Sequence, residues 1–221
     1  MLTEKSAREA SFQLSQNGTS WYAPIDFGSG LTLGGFWLTD SGTGRWEFIN
    51  KQVLEPLLVG KRVLDLGSNN GVMPLMMLRA GAKEVIGLEL SAMFVERSKL
   101  VHRIFEWRDL KPYDFKVHTC NMLNILKTGW SKFDLITAFC SLYYLAAEDM
   151  ARVVRRSSEL APIMVLQAKT DTRSSAPENK AEKSSIKFLK NLLIENGFPN
   201  VEVFAPKNYS RPLLVGRTIS H

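Results

Sequence analysis

The chain has 221 residues, of which 45% are hydrophobic and 23% charged. That length supports one substantial α/β domain with its own core, and no apolar run reaches the length of a membrane span. The net charge of +6 permits a polyanionic partner such as RNA through counterion release, and equally describes a solvated basic surface.

The N-terminal stretch MLTEKSAREASFQLSQNG lacks the apolar run of a signal peptide. Only Cys120 and Cys140 are present, both in apolar sequence contexts, so a disulfide framework is not expected and a reducing cytoplasm is the expected compartment. Residues 1–20 are polar and read as partly helical. Residues 21–44, rich in glycine and aromatics, read as a structured cap or loop. A helix is expected from about Arg45 to Leu58.

From Lys61 onward strands and helices alternate, which predicts a mostly parallel sheet covered on both faces. Strands are placed near 62–66, 84–88, 115–120, 133–139, 162–168, 200–205 and 212–218. PKNYSRP, between the last two, is too short for a crossover helix, so these two must pair antiparallel. Helices are expected near 72–80, 92–107, 147–160 and 182–196, the last ended by Gly197 as a C-terminal cap. The polar segment 169–183 follows a strand's C-terminal end, where loops border the crevice of open α/β sheets. It reads as a lid or as a plain solvated connection. Arg152, Arg155 and Arg156, then Lys180, Lys183, Lys187 and Lys190, are the densest basic groups.

VLDLGSNNGV, residues 63–72, carries the first chemical signal. The strand ends at Asp65 and Leu66, and Gly67 and Gly71 allow backbone geometries that a side chain would block. The helix that follows offers free N–H groups and a dipole that favour an anion. The second signal is Glu89, about 20 residues beyond Gly67 at the end of EVIGLELS, where a carboxylate can accept from both hydroxyls of a ribose. Alternatively Glu89 merely precedes the next helix, with Ser91 as its N-cap. In a dinucleotide site the middle glycine lets the backbone approach a pyrophosphate. Here that position, Asn69, works against NAD or FAD. S-adenosylmethionine has no phosphate. The helix N-terminus suits its carboxylate, and Asp65 suits its ammonium.

At this point the sequence resembles class I S-adenosylmethionine-dependent methyltransferases over roughly residues 45–218. VLDLGSNNGV resembles their first motif, and Glu89 their ribose-binding acid. TCNML resembles the adenine-contacting turn, with Asn121 and Met122 at the base. FDLITAFCSLYYL resembles the fourth-strand motif, whose end faces the methyl group. The resemblance implies an α/β, Rossmann-like seven-stranded sheet of order 3-2-1-4-5-7-6 with the last strand antiparallel and helices on both faces. It implies residues 1–44 as an N-terminal extension and cap, and residues 45–221 as the S-adenosylmethionine-binding domain. Its implied cofactor contacts are Trp46, Asp65, Gly67, Ser68, Asn69, Gly71, Glu89, Leu90, Asn121, Met122 and Phe139, and no metal is implied. A narrower similarity, to the tRNA wobble-uridine carboxymethyltransferase group, rests on RWEFINKQVLEPLLVGKRVLDLG, LRAGAKEVIGLELS and SLYYL, with Trp46 at a tryptophan placed near the cofactor. Tyr143-Tyr144 stands where a Tyr-His pair is common there, and Arg45 where a lysine is usual.

Methyl transfer is an in-line displacement, so alignment supplies much of the acceleration, and an oxygen or nitrogen nucleophile also calls for a base. Tyr143 and Tyr144, just past the fourth strand, are candidates to orient the acceptor, or else pack under the next helix. Trp21, Tyr22, Asp26 and Phe27 are candidates to close over it. His118, within a strand, reads as a packed or surface residue. The favoured expectation is methyl transfer to a small-molecule or glycan-type acceptor. The alternatives are an RNA methyl- or carboxymethyltransferase and a non-catalytic cofactor-binding scaffold.

Overall fold

A computed structural model describes residues 2–16, 25–26, 32–33, 43–169, 182–205 and 211–219. Trp21, Tyr22, Phe27, the side chain of Asp26, most of the expected cap and residues 170–181 lie outside the described residues.

The described strands of the main sheet are β1 (Arg62–Leu66), β2 (Glu84–Glu89), β3 (Phe115–Thr119), β4 (Leu135–Phe139), β5 (Ile163–Gln167), β6 (Asn200–Phe204) and β7 (Leu213–Arg217). Their order is β3-β2-β1-β4-β5-β7-β6, the expected 3-2-1-4-5-7-6 arrangement of a Rossmann-like α/β fold. β7 runs antiparallel to both β5 and β6. The strand sequences explain the order. β4 (LITAF) is buried at every position, as suits an interior parallel strand covered on both sides. β3 (FKVHT) and β6 (NVEVF) lie at the ends of the sheet and are half-buried or exposed along their length. Their Lys116, His118 and Glu202 are the kind of charged or polar side chain that keeps an edge from pairing further.

The chain packs as two compact units. The first comprises residues 1–60 and 68–119. In it α1 (Glu4–Gln16) shares a core with the long helix Ala92–Arg108 through Ala10, Leu14, Val101, Ile104 and Phe105, joined by Ile25 and Leu75. The N-terminal segment is thus built into this unit's core through α1. The helix expected over 45–58 is interrupted. α2 (Thr43–Ile49) runs into a π-helical turn, Asn50–Leu54, and then α3 (Glu55–Leu58). Pro56 has no N–H to continue the ladder, and the N–H of Glu55 reaches back to Asn50 O, the wider spacing of a π turn. α4 (Val72–Arg79) and α5 (Ala92–Arg108) complete the unit, α5 being capped by Ser91 Oγ, which accepts from Phe94 N.

The second unit comprises residues 61–67 and 120–221. α6 (Ala147–Leu160) buries Met150, Val153, Val154, Ser157 and Leu160, one face of a 3.6-residue period. α7 (Ile186–Glu195) starts four residues later than expected because Ser185 caps it, accepting from Phe188 N at 3.2 Å. Gly197 follows at φ 102°, the left-handed geometry of a helix C-terminus. β4 begins at Leu135, two residues late. Phe133 N instead donates to Leu160 O, and the carboxylate of Asp134 accepts from the N–H of Arg62. Lys169 and Ser184 exchange two hydrogen bonds of 3.0 Å and so pin the ends of the expected lid segment.

Candidate active site

In the first unit, the loop after β1 is shaped by its own backbone. Ser68 N donates to Leu88 O, and Gly71 N closes the turn onto Ser68 O. Asn69 takes the place of the missing glycine by adopting φ 50°, a left-handed conformation that asparagine tolerates better than most residues. Its Oδ1 accepts from Asn70 N at 2.8 Å. Gly71 has φ 74°, and a Cβ there would lie 2.6 Å from Ser98 Cβ, so the loop must approach α5 closely. The Ser68 hydroxyl turns inward onto Gly87 and is buried with no hydrogen-bond partner among the described residues. Its side chain faces Gly87 of β2.

The carboxylate of Glu89 bridges the loop and the next helix. Oε2 accepts from Asn69 N at 2.8 Å and Oε1 from Ser91 N at 2.9 Å. Each carboxylate oxygen keeps a further lone-pair position for a hydroxyl. Ser91 caps α5 as expected, and the Glu89 carboxylate shapes the loop before it. Leu90 and Met93 beside it are exposed at 69% and 47%, apolar surface that gains from being covered. Trp46 on α2 is half-buried. Beneath the loop, His102 Nε2 lies 3.0 Å from Gly71 O, and its ring stacks on Phe115 at 3.8 Å between centroids. With a carbonyl as acceptor, Nε2 carries the hydrogen, and burial lowers this imidazole to about 4. His118 is exposed on β3.

In the second unit, the C-terminal ends of β1 and β4 meet. Asp65, 2% exposed, accepts from Thr137 Oγ1 at 2.7 Å. Ser141 Oγ donates to Leu66 O. A Cβ on Gly67 (φ 81°) would sit 2.5 Å from Ser141 Cβ and 3.9 Å from Met122 Sδ, so this glycine is required by the turn after β4. Asn121 caps the turn Met122–Leu126, its Oδ1 accepting from Leu123 N at 3.0 Å. Phe139 is buried at the end of β4.

The two tyrosines differ. Tyr143 is 4% exposed, while Tyr144 is 63% exposed and stacks on it at 5.3 Å. Burial, then the neighbouring Cys140, pushes the Tyr143 phenol well above its ordinary range. Cys140 corrects the expectation of an apolar setting. It is half-buried, and its sulfur lies 3.2 Å from Arg211 Nη1, 3.4 Å from Gln167 Oε1 and 3.8 Å from Ala168 O. Neither Gln167 nor Arg211 was singled out from the sequence. Arg211 belongs to a stretch that reads only as a turn, and Gln167 is the one polar residue of an apolar strand.

Residues 63–162 match the family model of a methyltransferase domain. No curated protein matches the sequence. Among solved structures, the N-terminal domain of EvdMO1 with SAH bound is 15% identical with a TM-score of 0.67, over 99% of this chain and 98% of that one. Magnesium protoporphyrin IX methyltransferase from Synechocystis PCC 6803 with bound SAM is 16% identical with a TM-score of 0.57, over 78% and 76%. A putative S-adenosylmethionine-dependent methyltransferase from Listeria monocytogenes is 16% identical with a TM-score of 0.58, over 80% and 99%. At these identities the likeness is one of fold, and the stretch matched by the family model, 63–162, spans the motifs read from the sequence. Residues 63–162 thus match a methyltransferase-domain model, and the described chain shares the fold of solved structures that hold SAM or SAH.

Proposed function

We propose that this protein transfers a methyl group from S-adenosylmethionine to an oxygen or nitrogen of a small-molecule or glycan-type acceptor. The observation that carries the cofactor reading is the Glu89 carboxylate, fixed by two backbone N–H groups with lone pairs to spare. That is the preorganised acceptor a ribose diol requires. Bound there, S-adenosylmethionine supplies a methyl group activated by its sulfonium.

In this reading Leu90 covers the adenosine with its exposed side chain. Asn121 and Met122 meet the base, and Trp46 and Phe139 border the cofactor. Gly67, Asn69 and Gly71 shape the loop under the methionine tail, Ser68 contributing through its backbone, while Asp65 and backbone carbonyls receive the ammonium. Tyr144 stands out toward solvent as the acceptor contact, and Tyr143 supports it from beneath. Residues 45–221 form the transferase domain, and residues 1–44 its extension and cap.

Two things favour a small acceptor over RNA. The solved relatives include a porphyrin methyltransferase and a protein crystallised in the presence of SAH and D-fucose. The densest basic group is also occupied within its own surface. Arg152 pairs with Asp149 at 2.9 Å, Arg156 with Glu159 at 2.6 Å, and Arg155 reaches Asn196 at 3.3 Å. Each of these contacts must be given up or shared before the cation can neutralise a phosphate.

Calorimetric titration with S-adenosylhomocysteine tests the cofactor site. Glu89→Ala is expected to weaken binding by about 1–3 kcal/mol through lost charged hydrogen bonds. Equal binding by wild type and variant would remove Glu89 from the site. Release of S-adenosylhomocysteine across a panel of free sugars, glycosides and bulk tRNA then separates the acceptor classes. Turnover confined to tRNA at low salt would overturn the small-molecule reading.

A further inference from the structure

Two side chains from elsewhere in the first unit anchor the loop between β1 and α4, one toward each end. At Asn69 the anchor is the Glu89 carboxylate. At Gly71 it is His102 of α5, whose Nε2 lies 3.0 Å from Gly71 O. Two of the loop's own side chains add no such hold: Ser68 Oγ and Asn70 Oδ1 are buried with no hydrogen-bond partner among the described residues.

Gly71 is the N-cap of α4, and donors are scarce at this helix start. Four N–H groups at a helix N-terminus lack an intrahelical partner. Here that of Gly71 closes onto Ser68 O, and Pro74 has none. Val72 and Met73, both half-buried, carry the other two. The Val72 N–H belongs to the same peptide unit as Gly71 O, and no peptide bond is cis, so the C=O and N–H of that unit point in opposite directions. Glycine resists rotation of its neighbouring peptide least of all residues. Gly71 O accepts twice, from Leu75 N at 3.0 Å and from His102. Holding that oxygen against α5 turns the Val72 N–H to the other side, at the open start of α4.

The imidazole is confined to this contact. Its ring is stacked on Phe115 at 3.8 Å, and Gly71 comes so close that a Cβ there would lie 3.4 Å from His102 Cδ2. Nδ1 is buried without a partner among the described residues, so a proton on it would be a buried charge with no acceptor. Burial accordingly lowers this imidazole to about 4. At neutral pH the ring is uncharged, with its one hydrogen on Nε2.

We propose that His102 is a positioning residue of the cofactor site, holding the Gly71–Val72 peptide so that the Val72 N–H meets the carboxylate of the S-adenosylmethionine tail. This rests on the methyl-transfer reading above. His102 touches neither cofactor nor acceptor and acts through Gly71.

The first test needs no ligand. Long-range proton–nitrogen NMR of the full-length protein at pH 7 reads the tautomer of each of the three histidines, and the signals lost in His102→Gln assign the one in question. His102 is expected in the Nε2–H form alone. An Nδ1–H form, or an average of the two, would overturn the proposal. The second test is calorimetric titration with S-adenosylhomocysteine. His102→Leu removes the donor and should weaken binding about tenfold or more, the scale of a lost hydrogen bond to a charged group. His102→Gln restores an N–H donor at similar reach and should bind within about threefold of wild type. Leu14→Ala loosens α5 through the core that Leu14 shares with Val101, Ile104 and Phe105, and its affinity should stay within about twofold. Equal losses in the Leu and Gln variants, or as large a loss in Leu14→Ala, would show that affinity follows packing and would overturn the proposal. Should His102→Leu fail to fold, the tautomer and the Gln variant still decide. Failure of the wild type to bind S-adenosylhomocysteine would instead sink the methyl-transfer reading, while the tautomer would still show whether the imidazole holds Gly71.

Discussion

Asn69 in the first unit and Cys140 in the second both hold left-handed backbone without being glycine, at φ 50° and 57°, yet they are accommodated in different ways. At position 69 residue type and conformation agree. Asparagine enters this region readily, its Oδ1 bonds Asn70 N, and its own N–H rests on Glu89. At position 140 they disagree. Nothing in a cysteine side chain favours that backbone, and its sulfur bonds instead to groups from distant parts of the chain, Arg211 and Gln167. Where local chemistry matches the backbone, the residue is explained as architecture. Where it does not, contacts from elsewhere in the chain hold the backbone in place.

Breaking the contact that forces the turn at Cys140 should have the largest effect. Gly67→Ala places a Cβ 2.5 Å from Ser141 Cβ in a left-handed residue. Overpacking and backbone strain together should lower stability by roughly 3 kcal/mol or more in urea denaturation. Adding Ser141→Gly to that variant removes the clash and leaves the strain, so it should recover more than half of the loss. No recovery would mean that Ser141 does not set the turn.

Acid should loosen the loop side before the β4 side. His102 supports Gly71 O and is lowered from 6.5 to about 4 by burial. An unfolded chain therefore takes up a proton before the folded one does. The contribution of His102 is complete above pH 6.5 and is lost as pH falls toward 4, a change of roughly 3 kcal/mol. Stability measured between pH 7 and 4.5 should decline in wild type and be flatter in His102→Gln. An identical slope in the two would show that the imidazole titrates normally.

The legibility of the molecule follows the same division between local and distant causes. The sheet order was implied by the resemblance, and the antiparallel pairing of its last two strands was read from the short PKNYSRP link. Gly67, Glu89 and the Ser91 cap were visible because each is part of a strand-turn-helix pattern with fixed local geometry. The π turn at Asn50–Leu54 was foreshadowed by Pro56 and overlooked. The late starts of β4 and α7 came from side chains, Asp134 and Ser185, that cap or divert the backbone at the boundary. The setting of Cys140 was misread because its partners at 167 and 211 reach it only through the side-by-side pairing of β4, β5 and β7. No window of sequence contains them.

The smallest effect discriminates most finely between the two left-handed residues. Asn69→Ala should cost about 1 kcal/mol, since alanine loses both the tolerance for that backbone and the bond to Asn70 N. Cys140→Asn should leave stability unchanged or raise it by about 0.5 kcal/mol, because asparagine suits the conformation that cysteine is forced to hold. The opposite signs are what matter, and chemical denaturation of the two variants against wild type reads them directly. A residue retained for packing would lose stability on either exchange. A residue held there by its surroundings and not by its own chemistry is exchanged without loss. If Cys140→Asn proves as damaging as Asn69→Ala, the contrast between the two positions disappears, and Cys140 becomes a structural residue whose contacts with Arg211 and Gln167 serve the turn.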